Sequence, residues 1–209
     1  MTLEHEHILI FRKFGDRSYG PGVRHESGYF WEERNEWFSD LWTFPGVSQS
    51  LGAGSSKRTA AFNHELPFRL IQMYSVYGDT VLDPFMGTGT TTTAALAAGR
   101  NSLGFEIDPE VVSTPLLPLA QARSLSRVTR HERFIVEKLT EDEQQKHFNT
   151  PHGFPVKTKQ ETGIVVRMPV AIHASKPSKR QVSYEVEHEI CTSVLTQLPS
   201  PKVPAETGK

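Results

Sequence analysis

A single cysteine, Cys191, stands in 209 residues. One thiol excludes an internal disulfide and cannot alone build a zinc site, which agrees with a reducing compartment. Long hydrophobic runs are missing as well. No stretch approaches the roughly 18 unbroken apolar residues of a membrane span, and the opening MTLEHEHILIFRK carries acids where a secretory leader carries positive charge. A cytoplasmic protein with no membrane partner is expected. An excess of one charge sign is also lacking, because the formal net charge is -1. Residues 1–109 hold 9 Lys+Arg against 13 Asp+Glu and residues 110–209 hold 14 against 11, so the second half leans basic only weakly. His5, His7 and His64 form no cluster with ligand spacing, and no metal is expected. With 37% hydrophobic residues, 15 Gly and 14 Pro, the chain has the composition of one globular domain with substantial loop and an appendage.

Organisation follows from local pattern. Ile8, Leu9, Ile10 and Phe11 form an apolar run that reads as a buried strand. Residues 14–62 are rich in Gly, Ser and Pro and should be loop with short elements. Ten of the 20 aromatics lie between Phe11 and Phe44, a segment suited to core packing. Leu66, Leu70, Met73 or Tyr74, and Tyr77 recur at helical spacing, with Pro67 in the first turn and Gly78 placed to cap the end. Thr80 to Asp83 reads as a strand and Pro84 to Gly89 as a turn. Thr90 to Ala98 reads as a helix whose threonines can cap its start, and Ser102 to Glu106 as a second strand. Residues 80–106 therefore form a βαβ unit. Further on, a charged helix is expected over 120–148, strands over Ile164 to Met168 and Gln181 to Val186, and a disordered tail over 199–209.

Chemistry concentrates in Asp83-Pro84-Phe85-Met86-Gly87-Thr88-Gly89-Thr90-Thr91 and, some 15 residues later, Gly104-Phe105-Glu106-Ile107-Asp108. In a parallel sheet, ligands lie beyond the carboxyl ends of the strands, where glycine lets the backbone bend sharply and approach closely. An acid ending the neighbouring strand can accept hydrogen bonds from both ribose hydroxyls, a role for Glu106 ahead of Asp108. A P-loop would need a lysine in the turn, and none lies there. A dinucleotide fingerprint would need a third glycine where Thr92 stands, so a nicotinamide oxidoreductase is a distant alternative. S-adenosylmethionine, a nucleoside without phosphate, is the expected cofactor.

DPFMGTGTT followed by GFEID resembles the cofactor motif of the beta-class DNA amino-methyltransferases, the N-4 cytosine and N-6 adenine DNA methylases. The stretch AAFNHELPFRLIQMYSVYGDTVLDPF resembles the helix and strand that precede that motif, although Phe62-Asn63 replaces the usual Phe-Pro. HEHILIFRK and Ser39-Asp40-Leu41-Trp42 resemble elements further upstream. The likeness covers roughly residues 1–110, whereas 111–198 form an accessory region that matches nothing we can name. It implies an α/β fold, a partial Rossmann-like parallel sheet with flanking helices. It also implies transfer of a methyl group from S-adenosylmethionine to the exocyclic amine of adenine or cytosine in flipped-out DNA bases, either base remaining open.

By the same resemblance, residues 63–108 form the cofactor-binding core and 14–62 a possible DNA-recognition segment. Asp83, Pro84 and Phe85 would line the site, Gly87 and Gly89 would admit the cofactor, and Glu106 with Asp108 would hold the ribose. Thr88, Thr90 and Thr91 are candidates for its carboxylate, and His64 stands at the start of the lining helix. The family's catalytic loop is an Asp, Asn or Ser followed by Pro-Pro and an aromatic. No Pro-Pro pair occurs anywhere in this chain. The expectation is a cofactor-binding portion, inactive alone, that works on DNA with a second polypeptide carrying the catalytic motif. The alternative is an inactive S-adenosylmethionine- or DNA-binding remnant. An incomplete parallel sheet should also expose an unpaired edge.

Overall fold

The computed structural model describes residues 5–45, 47–49, 58–108, 111, 148, 156–174, 181 and 183–190. At its centre, the β-branched and apolar run Thr80–Asp83 (β3) pairs in parallel with Asn101–Gly104 (β4), in the register Thr80↔Asn101 to Asp83↔Gly104. The crossover is a helix over Thr90–Ala97 (α4), so the expected βαβ unit is present with boundaries shifted by one or two residues. Strand alternation splits the pair into two faces. Val81 packs toward the buried cluster and Ser102 bonds to Thr92 of α4, whereas Leu82 and Leu103, paired in register, are about half exposed. Helices thus cover one face only among the described residues.

The core sits between α4 and the helix Glu65–Tyr74 (α3). Ala94, Ala95, Ala97 and Ala98 are buried, and side chains this small let α3 approach closely enough for Phe68 and Ile71 to fill the gap with Trp37. Trp37 meets Phe68 edge-on, with centroids 6.3 Å apart. Trp37 ends the helix Trp31–Trp37 (α2), which follows a single turn at Val23–Glu26 (α1). Two short antiparallel strands, Val47–Gln49 (β1) and Arg58–Ala61 (β2), complete the first half. Arg69, almost fully buried, is held by Glu65 and Glu36 and lies over the rings of Trp42 and Phe44.

Four expectations are corrected. Ile8 to Phe11 are irregular and 47% to 87% exposed rather than a buried strand, because no strand among the described residues lies beside them to satisfy their backbone. The helix before β3 stops at Tyr74 rather than at Gly78. Ser75 turns back on it, its hydroxyl and N–H both bonding to the Ile71 carbonyl, while Gly78 takes φ 85° in the turn closed by Asp79 N–H to Val76 O. Gly89, not a threonine, is the N-cap of α4, and the Thr93 hydroxyl bonds back to the Gly89 carbonyl. The accessory strands run over Arg167–Ala174 (β5) and Tyr184–Ile190 (β6), later than expected, because β-branched and alternating residues there pair as an antiparallel hairpin. The expected helix over 120–148, apart from the bridge residue Phe148, and the tail over 199–209 lie outside the described residues.

The hairpin is fastened to the βαβ unit through Tyr77. Its hydroxyl donates to Val165 O, and its ring meets the guanidinium groups of Arg100 (4.6 Å) and Arg167 (4.8 Å). His188 Nε2 donates to Leu96 O at 2.7 Å. A 3-10 turn over Lys159–Gly163 carries Glu161, whose buried carboxylate accepts the Trp31 N–H and both the N–H and hydroxyl of Thr158.

Candidate cofactor site

Every atom that shapes the turn after β3 comes from the sequence stretch singled out above. Asp83 Oδ1 accepts the Phe85 N–H at 3.0 Å, an Asx-type bond that bends the chain as it leaves the strand. Gly87 (φ 55°) and Gly89 (φ 86°) occupy left-handed backbone that a side chain would strain. The ladder continues past the strands, with Phe105 N–H to Asp83 O at 2.9 Å and Met86 N–H to Phe105 O at 2.8 Å. Gly89 N–H then closes onto Met86 O at 3.0 Å, and α4 begins.

Glu106 stands just beyond β4. One carboxylate oxygen accepts the Gly87 N–H at 2.8 Å and the other the Asp108 N–H at 3.0 Å. The acid therefore pins the glycine turn of one strand to the loop after the other. A carboxylate has about four lone-pair sites, so two acceptor positions remain for hydroxyl donors. Around it Phe85 is 89% exposed, Phe105 58% and Ile107 98%, an apolar rim at the mouth of the turn. Pro84 is exposed, and Thr88, Thr91 and Asp108 are half-buried, whereas Gly89 and Thr90 are buried at the helix start. The structure thus brings Asp83 to Thr91 together with Glu106 and Asp108. No cationic side chain occurs in either segment. This donor set, with an aromatic, an acid and a helix N-terminus, fits a nucleoside carrying an amino acid and fits a phosphate poorly.

His64 stands apart from these bonds as the N-cap residue of α3, where its Nε2 is buried without a partner. Burial there lowers its pKa from the ordinary 6.5, which favours the neutral ring. On α2, burial raises the carboxyl pKa of Glu32 above the ordinary value, helped by the nearby charge of Glu161. Asp79, at the base of β3, is held by Arg17 and by the Val76 N–H. Burial alone would raise its pKa, but the guanidinium and that N–H together hold it below the ordinary 3.8. Among the described residues no group of His, Cys, Asp or Glu could hold a metal ion, and no helix is long and apolar enough to cross a membrane.

Two site features escaped sequence reasoning. Gly104 matters because a Cβ there would meet Met86 Sδ at 2.4 Å, and a lone glycine within a strand pattern was the available signal. Ile107, an apolar residue between two acids, gave no sign that it would be the most exposed side chain of the rim.

The profile of the DNA methylase family (N6_N4_Mtase) matches residues 1–115. The chain is 43% identical over 197 residues to the Type II methyltransferase M.MthZI of Methanothermobacter thermautotrophicus, covering 88% of this chain and 54% of that protein. It is 51% identical over 110 residues to the Type II methyltransferase M.MjaI of Methanocaldococcus jannaschii, 52% of this chain and 36% of that one. It thus spans about half, or less, of the curated relatives it matches. Among solved structures, a DNA modification methylase of Thermus thermophilus complexed with S-adenosyl-L-methionine is 34% identical, with a TM-score of 0.40 over 59% of this chain and 40% of that chain. With more than half of its residues inside the matched region, this chain belongs to the DNA methylase family.

Proposed function

We propose that this chain is the cofactor-binding portion of a DNA amino-methyltransferase, holding S-adenosylmethionine at the Asp83 to Thr91 turn and Glu106. The observation that carries the reading is Glu106, whose two backbone bonds fix the carboxylate beside the turn while leaving two lone pairs for a ribose diol. Phe85 offers an exposed ring for the adenine, and Asp108, whose N–H bonds to Glu106, would assist at the ribose. Thr88, Thr90 and Thr91, with the helix N–H groups, suit a carboxylate. Pro84 stiffens the exit from β3, Gly87 and Gly89 keep the approach clear, and His64 lines the methionine end as a neutral ring. When bound, the cofactor would supply an electrophilic methyl group. This chain's residues would orient that methyl group and keep the nucleoside fixed.

The acceptor in this reading is the exocyclic amine of adenine or cytosine in DNA, presented after base flipping. The Pro-Pro-aromatic motif is absent from these 209 residues, so the loop that binds the amine would come from outside them, and these residues alone would not methylate. Titration of S-adenosylmethionine into the purified chain tests the site. Saturable heat for wild type, with loss of affinity in Glu106→Gln and Asp83→Ala variants that keep their helical circular dichroism, is the expected result. Equal affinities would remove the site from the turn, and heat from NAD with none from S-adenosylmethionine would replace the cofactor. Methyl transfer by these residues unaided would refute the reading that the catalytic loop lies outside them.

A further inference from the structure

The crossover helix α4 is eight residues long, about 12 Å of rise, and apart from Leu96 it carries no side chain larger than threonine. Helices take their relative position from ridges of side chains set into grooves. The alanines that pack on Phe68 and Ile71 of α3 raise only shallow ridges, so packing fixes the axial slide and roll of α4 weakly and leaves them to its two ends. The N-terminal end is the turn after β3, where Gly89 caps the helix and its N–H bonds back to Met86 O. The C-terminal end is held from the accessory hairpin. His188 Nε2, brought from 92 residues further along the chain, donates at 2.7 Å to Leu96 O, one of the last-turn carbonyls. Arg167, at the start of β5, stands against Gly99 just past the helix, where an added Cβ would meet Tyr77 Cε1 at 3.0 Å and Arg167 Cδ at 3.4 Å. Alternation along β6 aims the imidazole, with Tyr184, Val186 and His188 on a half-buried face and Glu185, Glu187 and Glu189 on the exposed one.

We propose that the accessory hairpin is a brace for the cofactor turn, with His188 as the positioning residue: by holding the Leu96 carbonyl it sets where α4 lies, and hence where Gly89 and Thr90 stand at the other end. The inference rests on the reading that this turn holds S-adenosylmethionine, and adds a residue at the far end of the helix from it. The hairpin lies beyond the region matched by the family profile, which ends at residue 115, whereas the match to M.MthZI covers 88% of the chain and so extends past that limit. A short rigid helix held at both ends couples them. Whatever factor of affinity the cofactor gains from a braced helix, hairpin docking gains from a bound cofactor.

The test uses the whole chain. Without cofactor, His188→Phe, which keeps a ring but has no donor, should speed amide hydrogen exchange over residues 90–97 by about fivefold or more. The same variant should bind S-adenosylmethionine about fivefold or more weakly, while His188→Gln, whose amide N–H can reach the same carbonyl, should stay within about twofold of wild type in both readouts. Glu187→Gln, on the exposed face of the same strand, should change neither. In wild type, saturating S-adenosylmethionine should slow exchange over residues 184–190, and this protection should be lost in His188→Phe. A lower melting temperature in His188→Phe at unchanged affinity would make the hairpin merely stabilising and overturn the proposal. So would a His188→Gln variant as weak as His188→Phe, or wild-type exchange over 184–190 indifferent to bound cofactor. Should wild type bind no S-adenosylmethionine, the function reading falls, and exchange over 90–97 still decides the brace: equal rates in wild type and His188→Phe would overturn it.

Discussion

Gly104→Ala adds one methyl group to a site with no room for it. The added Cβ would lie 2.4 Å from Met86 Sδ, 2.7 Å from its Cγ and 2.9 Å from its Cβ. Rotation of the Met86 side chain can withdraw the sulfur and Cγ, but its Cβ is fixed to the backbone, so relief also requires the two chain segments to separate. Those segments are joined there by the Met86 N–H to Phe105 O bond and, one step on, by Gly87 N–H to Glu106. Gly104 is not among the positive-φ glycines, so the cost is steric and carries no backbone strain. Overpacking of this kind costs about 1 to 3 kcal/mol, which for a chain of this size lowers the melting temperature by about 2 to 12 °C. Displacement of the turn should also weaken S-adenosylmethionine by about tenfold or more. Differential scanning calorimetry and ligand titration read the two effects. Met86→Ala in the Gly104→Ala background should restore part of each, because two of the three overlaps vanish and the Cβ contact stays. An unchanged melt and affinity in Gly104→Ala, or the same loss with and without the Met86 side chain, would refute the reasoning.

Three other outcomes are expected. His64 has its folded pKa lowered by burial, so the unfolded chain binds the proton more readily. Its contribution is intact above about 6.5 and lost as pH falls through the folded value, and His64→Gln should flatten the melting temperature between pH 7.5 and 5. Asp79, held by Arg17 and the Val76 N–H, likewise contributes stability that is present above its ordinary 3.8 and lost as pH falls through its lower folded value. Acid unfolding followed by circular dichroism should show that step in wild type and not in Asp79→Asn. Arg100, 3% exposed, donates to the Ser75 hydroxyl and carbonyl and to Ala98 O while stacking on Tyr77, so Arg100→Met should cost about 2 to 3 kcal/mol, read as a lower urea midpoint at unchanged slope.

The βαβ unit was legible because its signals are local. A β-branched run, two glycines forced into left-handed backbone and an alanine-rich helix each announce themselves within a few residues. Glu106 was legible as an acid ending a strand, whereas its double bond to Gly87 and Asp108 depends on two loops meeting and is invisible in one dimension. Ile8 to Phe11 show the opposite failure. Their composition asks for burial, but burial needs neighbours, and the described residues supply none. Tyr77 was read as the last apolar position of α3. In the fold, Ser75 ends that helix early and frees the ring to meet both Arg100 and Arg167, whose positions 67 residues apart gave no hint of meeting.

The distribution of satisfied and unsatisfied groups separates two kinds of surface. At the turn, backbone donors are tied down before any ligand arrives: Phe85 N–H by Asp83, Gly87 and Asp108 N–H by Glu106, and Met86 N–H by Phe105. A site ordered in advance loses little conformational freedom on binding, so the interactions it makes with a ligand survive as affinity. The open cleft lined by residues 9–17 and 70–76 is the reverse, with an idle amide at Gln72 and an uncovered apolar run at Leu9 to Phe11. The Leu9 to Phe11 run is costly because it faces water, and the Gln72 amide because it is buried without a partner. On the proposed reading, cofactor affinity would be a property of this chain by itself.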